Sequence, residues 1–106
     1  MEEQPNLDYF NQIANGEQEI INTLISILKS EFPQQIESYN QSVLAANSKE
    51  TAEAVHKLKH KIGLLGLDNG YNLAHQYEQN LRENSYEFKK EFESILKIIT
   101  NFIQNL

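Results

Sequence analysis

Apolar residues recur along this chain at spacings of three and four, with polar residues filling the places between. At 3.6 residues per turn, that spacing lines apolar side chains along one stripe of a helix. Leu7, Phe10 and Ile13 mark a short first helix, with Asn6 or Asp8 near its start and Asn15-Gly16 as its stop. Residues 1–6 ahead of it read as a frayed polar tail. Ile21, Leu24, Leu28, Phe32, Ile36, Tyr39 and Val43 form an almost uninterrupted seam, which predicts the longest helix. Pro33 sits within it and has no N–H to give to the Lys29 carbonyl, so a kink is expected there. Because the seam keeps its phase across the proline, one kinked helix is favoured over two.

Asn47-Ser48-Lys49-Glu50 closes that helix and opens the next. Asn47 and Glu50 have the spacing of a capping box, with Ser48 as a competing N-cap. Val55, Leu58, Ile62 and Leu65 then carry a helix to about Leu65, and Gly66 with Asp68-Asn69-Gly70 reads as a turn with an Asp or Asn N-cap. Leu73, Ala74, Tyr77 and Leu81 mark the following helix. Asn84-Ser85 punctuates again, Asn84 and Glu87 form a second possible capping box, and Phe88, Phe92, Ile95, Ile99, Phe102 and Leu106 mark the last helix. Four amphipathic helices with short connections, preceded by a small one, predict an all-α, antiparallel up-down-up-down bundle forming a single domain over residues 1–106.

Composition narrows the function classes. A chain of 106 residues can bury a core without staples, and the absence of cysteine excludes disulfides and thiolate metal sites. The opening Met-Glu-Glu-Gln-Pro is not a signal peptide, and no apolar run is long enough to span a bilayer, so a cytoplasmic location is expected. Met1 and the compact length favour a free-standing protein, and nothing in the sequence compels a dimer, so a monomer is expected. A net charge of −6 argues against nucleic acid as a partner, since phosphate binding needs clustered Lys and Arg over a wide face. No GxxxxGK[ST] loop or other glycine-rich phosphate cradle occurs, and no Ser/His/Asp set or carboxylate pair stands out.

Against that acidic background, three of the nine Lys and Arg residues lie between 57 and 61, interleaved with two histidines: His56-Lys57-Leu58-Lys59-His60-Lys61-Ile62-Gly63-Leu64-Leu65-Gly66. On a helix, His56, Lys59, His60 and Gly63 form a second stripe beside the apolar one. His56 is therefore a candidate nucleophile, because histidine's unperturbed pKa near 6.5 leaves much of the imidazole neutral at pH 7. Lys59, one turn away, is a candidate for offsetting charge on incoming phosphoryl oxygens. His60 follows His56 by four residues, a spacing that also suits a two-histidine metal site. No third ligand stands at fixed spacing, so no metal site is expected. His75 reads as a surface residue.

The same residues carry a family resemblance. His56, Leu58, Lys59, Leu65 and Gly66 match, in register, the signature of histidine phosphotransfer (HPt) domains. That signature reads His-x-Leu-Lys-Gly, then small residues, then an apolar residue and Gly. His60 departs from it by replacing the glycine, and Lys61 and Ile62 stand where small residues are usual. The resemblance extends to the short first helix, to a Gly before the long helix and to Tyr77-Glu78 one helix later, covering residues 7 to about 82. It implies a four-helix bundle that is a phosphocarrier without kinase activity. His56 would accept a phosphoryl group from the aspartyl phosphate of a response-regulator receiver domain, or from a hybrid histidine kinase, and pass it to another receiver. The chain itself would bind no cofactor, with Mg²⁺ residing on the receiver. Glu78 would orient the His56 ring, and Lys57, His60, Lys61, Gly63 and Leu64 would contribute to docking. Histidine-kinase dimerisation helices also carry an acceptor histidine, but it is usually followed by an acid and then a proline. Lys57 and the lack of proline after position 33 separate this chain from them. Two alternatives stand beside the relay: an HPt-like bundle that binds partners without carrying phosphate, with His60 closing the site, and a metal-binding bundle.

Overall fold

In the computed structural model, which describes residues 3–106, each predicted helix is present. Helix α1 spans Asp8–Ala14, α2 Gln18–Leu44, α3 Ser48–Leu64, α4 Asp68–Arg82 and α5 Lys89–Gln104. No strand occurs among the described residues. The connections at 45–47, 65–67 and 83–88 are too short for anything but reversal, so successive helices run antiparallel. Helix α3 packs between α2 and α4, α5 lies on α4 and closes back toward α2, and α1 lies along α2. All four long helices feed one core, including Phe32 from α2, Leu58 from α3, Leu81 from α4 and Ile99 from α5.

Helix α2 runs unbroken through Pro33, whose side chain is exposed. The carbonyl that the proline leaves without a helical partner can therefore be hydrated, so one helix survives where two were the alternative. On α5 the buried stripe is Phe92, Leu96, Ile99 and Ile103. Ile95 and Phe102 are only half-buried and Leu106 is exposed, so the predicted stripe is displaced by one residue in places. Both stripes have helical spacing, and contact with both α4 and α2 selects between them. Ile13, expected to face inward, is 59% exposed, and Ala14 packs beside Phe10 in its place.

The N-terminal segment is not frayed over its described part; residues 1 and 2 lie outside the described residues. Pro5 is buried, and the Asn6 N–H donates to the Leu65 carbonyl at 2.9 Å. The Glu3 carboxylate accepts from the N–H groups of Asn69 (2.8 Å) and Gly70 (3.0 Å). The α4 N-cap position is Leu67, which makes no side-chain cap, so Glu3 replaces the expected Asp or Asn cap from the far end of the sequence. Gly66 makes this approach feasible. Its φ is +79°, and a Cβ there would sit 2.5 Å from Asn6 Nδ2.

Half of the first predicted capping box is present, with Asn47 Oδ1 accepting from the Glu50 N–H at 3.1 Å. The second box does not form. Asn84 adopts φ 62° and its Oδ1 accepts from Ser48 Oγ at 2.7 Å, tying the α4–α5 turn to the start of α3. Helix α5 starts later, after Phe88 at φ 78°. Across the core, Tyr39 donates to Glu93 Oε2 at 2.8 Å. Its only hydroxyl hydrogen is thereby used, so the 2.8 Å contact with Tyr77 has Tyr77 as donor. This chain of hydrogen bonds joins α4, α2 and α5.

Candidate functional site

Helix α3 is sorted by its 3.6-residue period. Ala52, Val55, Leu58 and Ile62 enter the core, while His56, Lys57 and His60 face outward. The His56 side chain is 50% exposed. On α4, Tyr77 turns into the core, and its neighbour Glu78 therefore turns toward α3. Both Glu78 oxygens lie 3.2 Å from His56 Nδ1.

Glu78 also binds two cations. Lys59 Nζ lies 3.0 Å from Oε1 and Arg82 Nη2 lies 3.0 Å from Oε2. Burial pushes the Glu78 carboxyl upward, but hydrogen bonds from Lys59, Arg82 and His56 outweigh it and hold the group below its ordinary 4.5. An ionised carboxylate can only accept, so His56 Nδ1 carries a proton and the neutral ring presents its lone pair at Nε2. One carboxylate faces two cationic side chains, which leaves a net charge of +1 beneath the imidazole.

The sequence places Lys59 on the outward stripe, yet its side chain is only 6% exposed. Glu78 supplies the counter-charge that makes this burial tolerable, and the Tyr71 ring covers the ammonium, with its centroid 5.5 Å from Nζ. His75, exposed as expected, brings Nδ1 to 3.4 Å from the same ammonium. His60 packs edge-on against His56, with ring centroids 4.9 Å apart, planes at 90° and the two Nε2 atoms 3.4 Å apart.

The remaining docking candidates fall into different settings. Lys57 is exposed. Lys61 is engaged by Glu31 of α2 at 2.6 Å. Gly63 lies under Tyr71, where a Cβ would meet the ring at 3.1 Å. Leu64 is 36% exposed and, with His60, Gly63, Tyr9 and Tyr71, lines a shallow hollow beside His56.

The sequence alone assigns Arg82 and Tyr71 no place in the site, yet both line it. Arg82 had a legible signal, because Glu78 and Arg82 are four apart on one helix. Tyr71 had none, since its contact with Lys59 depends on how α3 and α4 cross. Among the described residues no helix is long and apolar enough to cross a membrane. The family model described as "Hpt domain" matches residues 23–105. Comparison with curated proteins and with solved structures gave no significant match.

Proposed function

Because this chain belongs to the Hpt domain family, whose members are phosphocarriers in phosphorelays, we propose that His56 is its phosphoacceptor. The observation that carries this reading is a half-exposed imidazole whose Nδ1–H is held by an ionised carboxylate, leaving Nε2 as the nucleophile. Hpt domains interact with receiver domains and kinases. The donor in this reading is a receiver bearing an aspartyl phosphate, and a second receiver takes the group onward.

The His56 Nε2 lone pair forms the N–P bond as the P–O bond to the receiver's aspartate breaks, and the leaving carboxylate keeps that electron pair. Mg²⁺ held by the receiver, not by this chain, would steady the leaving oxygens. No proton has to depart from Nε2, because the ring proton sits on Nδ1. The ring becomes cationic as the N–P bond forms, and Glu78 stands where that charge develops. Lys59 and Arg82 keep Glu78 ionised, and their excess charge favours the approaching phosphoryl oxygens. His60 lies against Nε2 and turns aside for in-line attack. Lys57, with the rim formed by His60, Gly63 and Leu64, meets the receiver surface, while Lys61 steadies α3 against α2 through Glu31.

The test is transfer from a phosphorylated receiver domain to wild type, His56→Gln, Lys59→Ala and His60→Gly. Acid-labile, base-stable phosphate is expected on wild type and absent from His56→Gln, with slower transfer to Lys59→Ala. His60→Gly is expected to label at least as fast as wild type. Label on His56→Gln would overturn the acceptor assignment. Label on His60→Gly alone would identify a bundle whose acceptor is closed by that side chain. No label on any variant, with a receiver shown to bind, would leave a partner-binding bundle.

A further inference from the structure

The departure of His60 from the family pattern has a second chemical consequence. Two Zn–N bonds of about 2.0–2.1 Å at a near-tetrahedral angle hold their nitrogens about 3.3–3.4 Å apart. The Nε2 atoms of His56 and His60 are 3.4 Å apart. The same separation lets one ring N–H donate to the other, a single contact that a bound ion would replace. The outer contacts fit as well. Histidines that ligate metals through one nitrogen characteristically give the other N–H to a carboxylate. His56 gives its Nδ1–H to Glu78, the tautomer that leaves Nε2 free to ligate.

We propose that His56 and His60 together chelate a borderline divalent transition-metal ion such as Zn²⁺ through their Nε2 atoms, excluding a phosphoryl group from the same nitrogen. Both rings are solvent-exposed, so an ion can enter between the two nitrogens. No group of three or more His, Cys, Asp or Glu suited to a metal occurs among the described residues, so the chain supplies two ligands and solvent the others. The uncompensated charge of Lys59 and Arg82 opposes a dication, which sets the affinity below that of a closed structural site. Imidazole pairs select Zn²⁺, Ni²⁺ or Cu²⁺ over the hard Mg²⁺ that serves receiver domains.

The experiment is calorimetric titration of the metal-free chain with Zn²⁺ in excess Mg²⁺, with histidine ring resonances followed by NMR. One equivalent is expected to bind and to shift the His56 and His60 rings. His60→Ala and His56→Gln should each weaken binding at least tenfold, Glu78→Gln by about ten- to a hundredfold, and His75→Ala not at all. Absence of binding at millimolar Zn²⁺, or binding that survives His60→Ala, would overturn the proposal. These outcomes do not depend on the relay. Zinc binding without phosphate acceptance would sink the relay reading alone, and phosphate acceptance without zinc binding would sink this one alone. If both stand, Zn²⁺ should suppress phosphate acceptance by wild type, and chelation should restore it.

Discussion

Glu78 joins the chemistry of the site to the stability of the fold at a single carboxylate. It is the counter-ion of a buried ammonium, the partner of an exposed guanidinium and the acceptor for His56. Replacing it with Gln strands Lys59 among α3, α4 and the Tyr71 ring, which is expected to cost about 3 kcal/mol in urea unfolding. The pH dependence follows from the sign of its shift. The folded carboxyl titrates below its unfolded value near 4.5, so the stabilisation is fully present above that pH. It is lost as pH falls through the lower folded value. The stability gap between wild type and Glu78→Gln should therefore shrink below about pH 4.5, whereas a gap that stays constant down to pH 3 would mean that the carboxylate's charge is not its source. At this scale the sequence was informative about identity and less so about setting. His56 and Glu78 were legible because the motif fixes one and the next helix the other. The burial of Lys59 was not, because an i, i+3 neighbour of an exposed residue is buried or free according to what the adjoining helix lays over it.

The helices show where periodicity suffices and where it does not. All five elements followed from spacing, because an amphipathic helix has to bury its stripe and this chain has four long ones. What spacing left open was settled by packing: Leu96 and Ile103 over the flanking stripe of α5, and Ala14 over Ile13 on α1. Turn chemistry misled where a long-range partner intervened, as with Asn84, drawn away from α5 by Ser48. The α4 cap was illegible for the same reason, since nothing in local sequence relates Glu3 to Asn69. Pro33 gives the test at this scale. An interior proline costs a helix about 3 kcal/mol relative to alanine, offset by about 0.4–1 kcal/mol from the stiffer unfolded chain. Pro33 is exposed and outside the core, so Pro33→Ala should raise stability by about 2 kcal/mol in denaturant melts. A loss of stability would show that Pro33 itself is needed to fit α2 to its neighbours.

Across the whole molecule, three helices are linked through the hydroxyls of Tyr77 and Tyr39 to Glu93. Burial, supplemented by this pairing, raises the Tyr39 hydroxyl well above the ordinary tyrosine value. Tyr77 is pushed up to about 12, chiefly by burial. Both therefore stay protonated and hydrogen-bonded at any ordinary pH. Tyr39→Phe removes one hydroxyl and leaves that of Tyr77 buried without an acceptor. A loss of about 1–3 kcal/mol is expected by urea unfolding, and an unchanged midpoint would mean that water replaces the missing partner. Tyr77 and Glu78 are consecutive residues of α4, one anchored in the core and the other holding His56. The proposed acceptor site is consequently fixed to the core through one helix. On heating, it should keep its competence up to the melting transition and lose it with the bundle, without an earlier, separate inactivation.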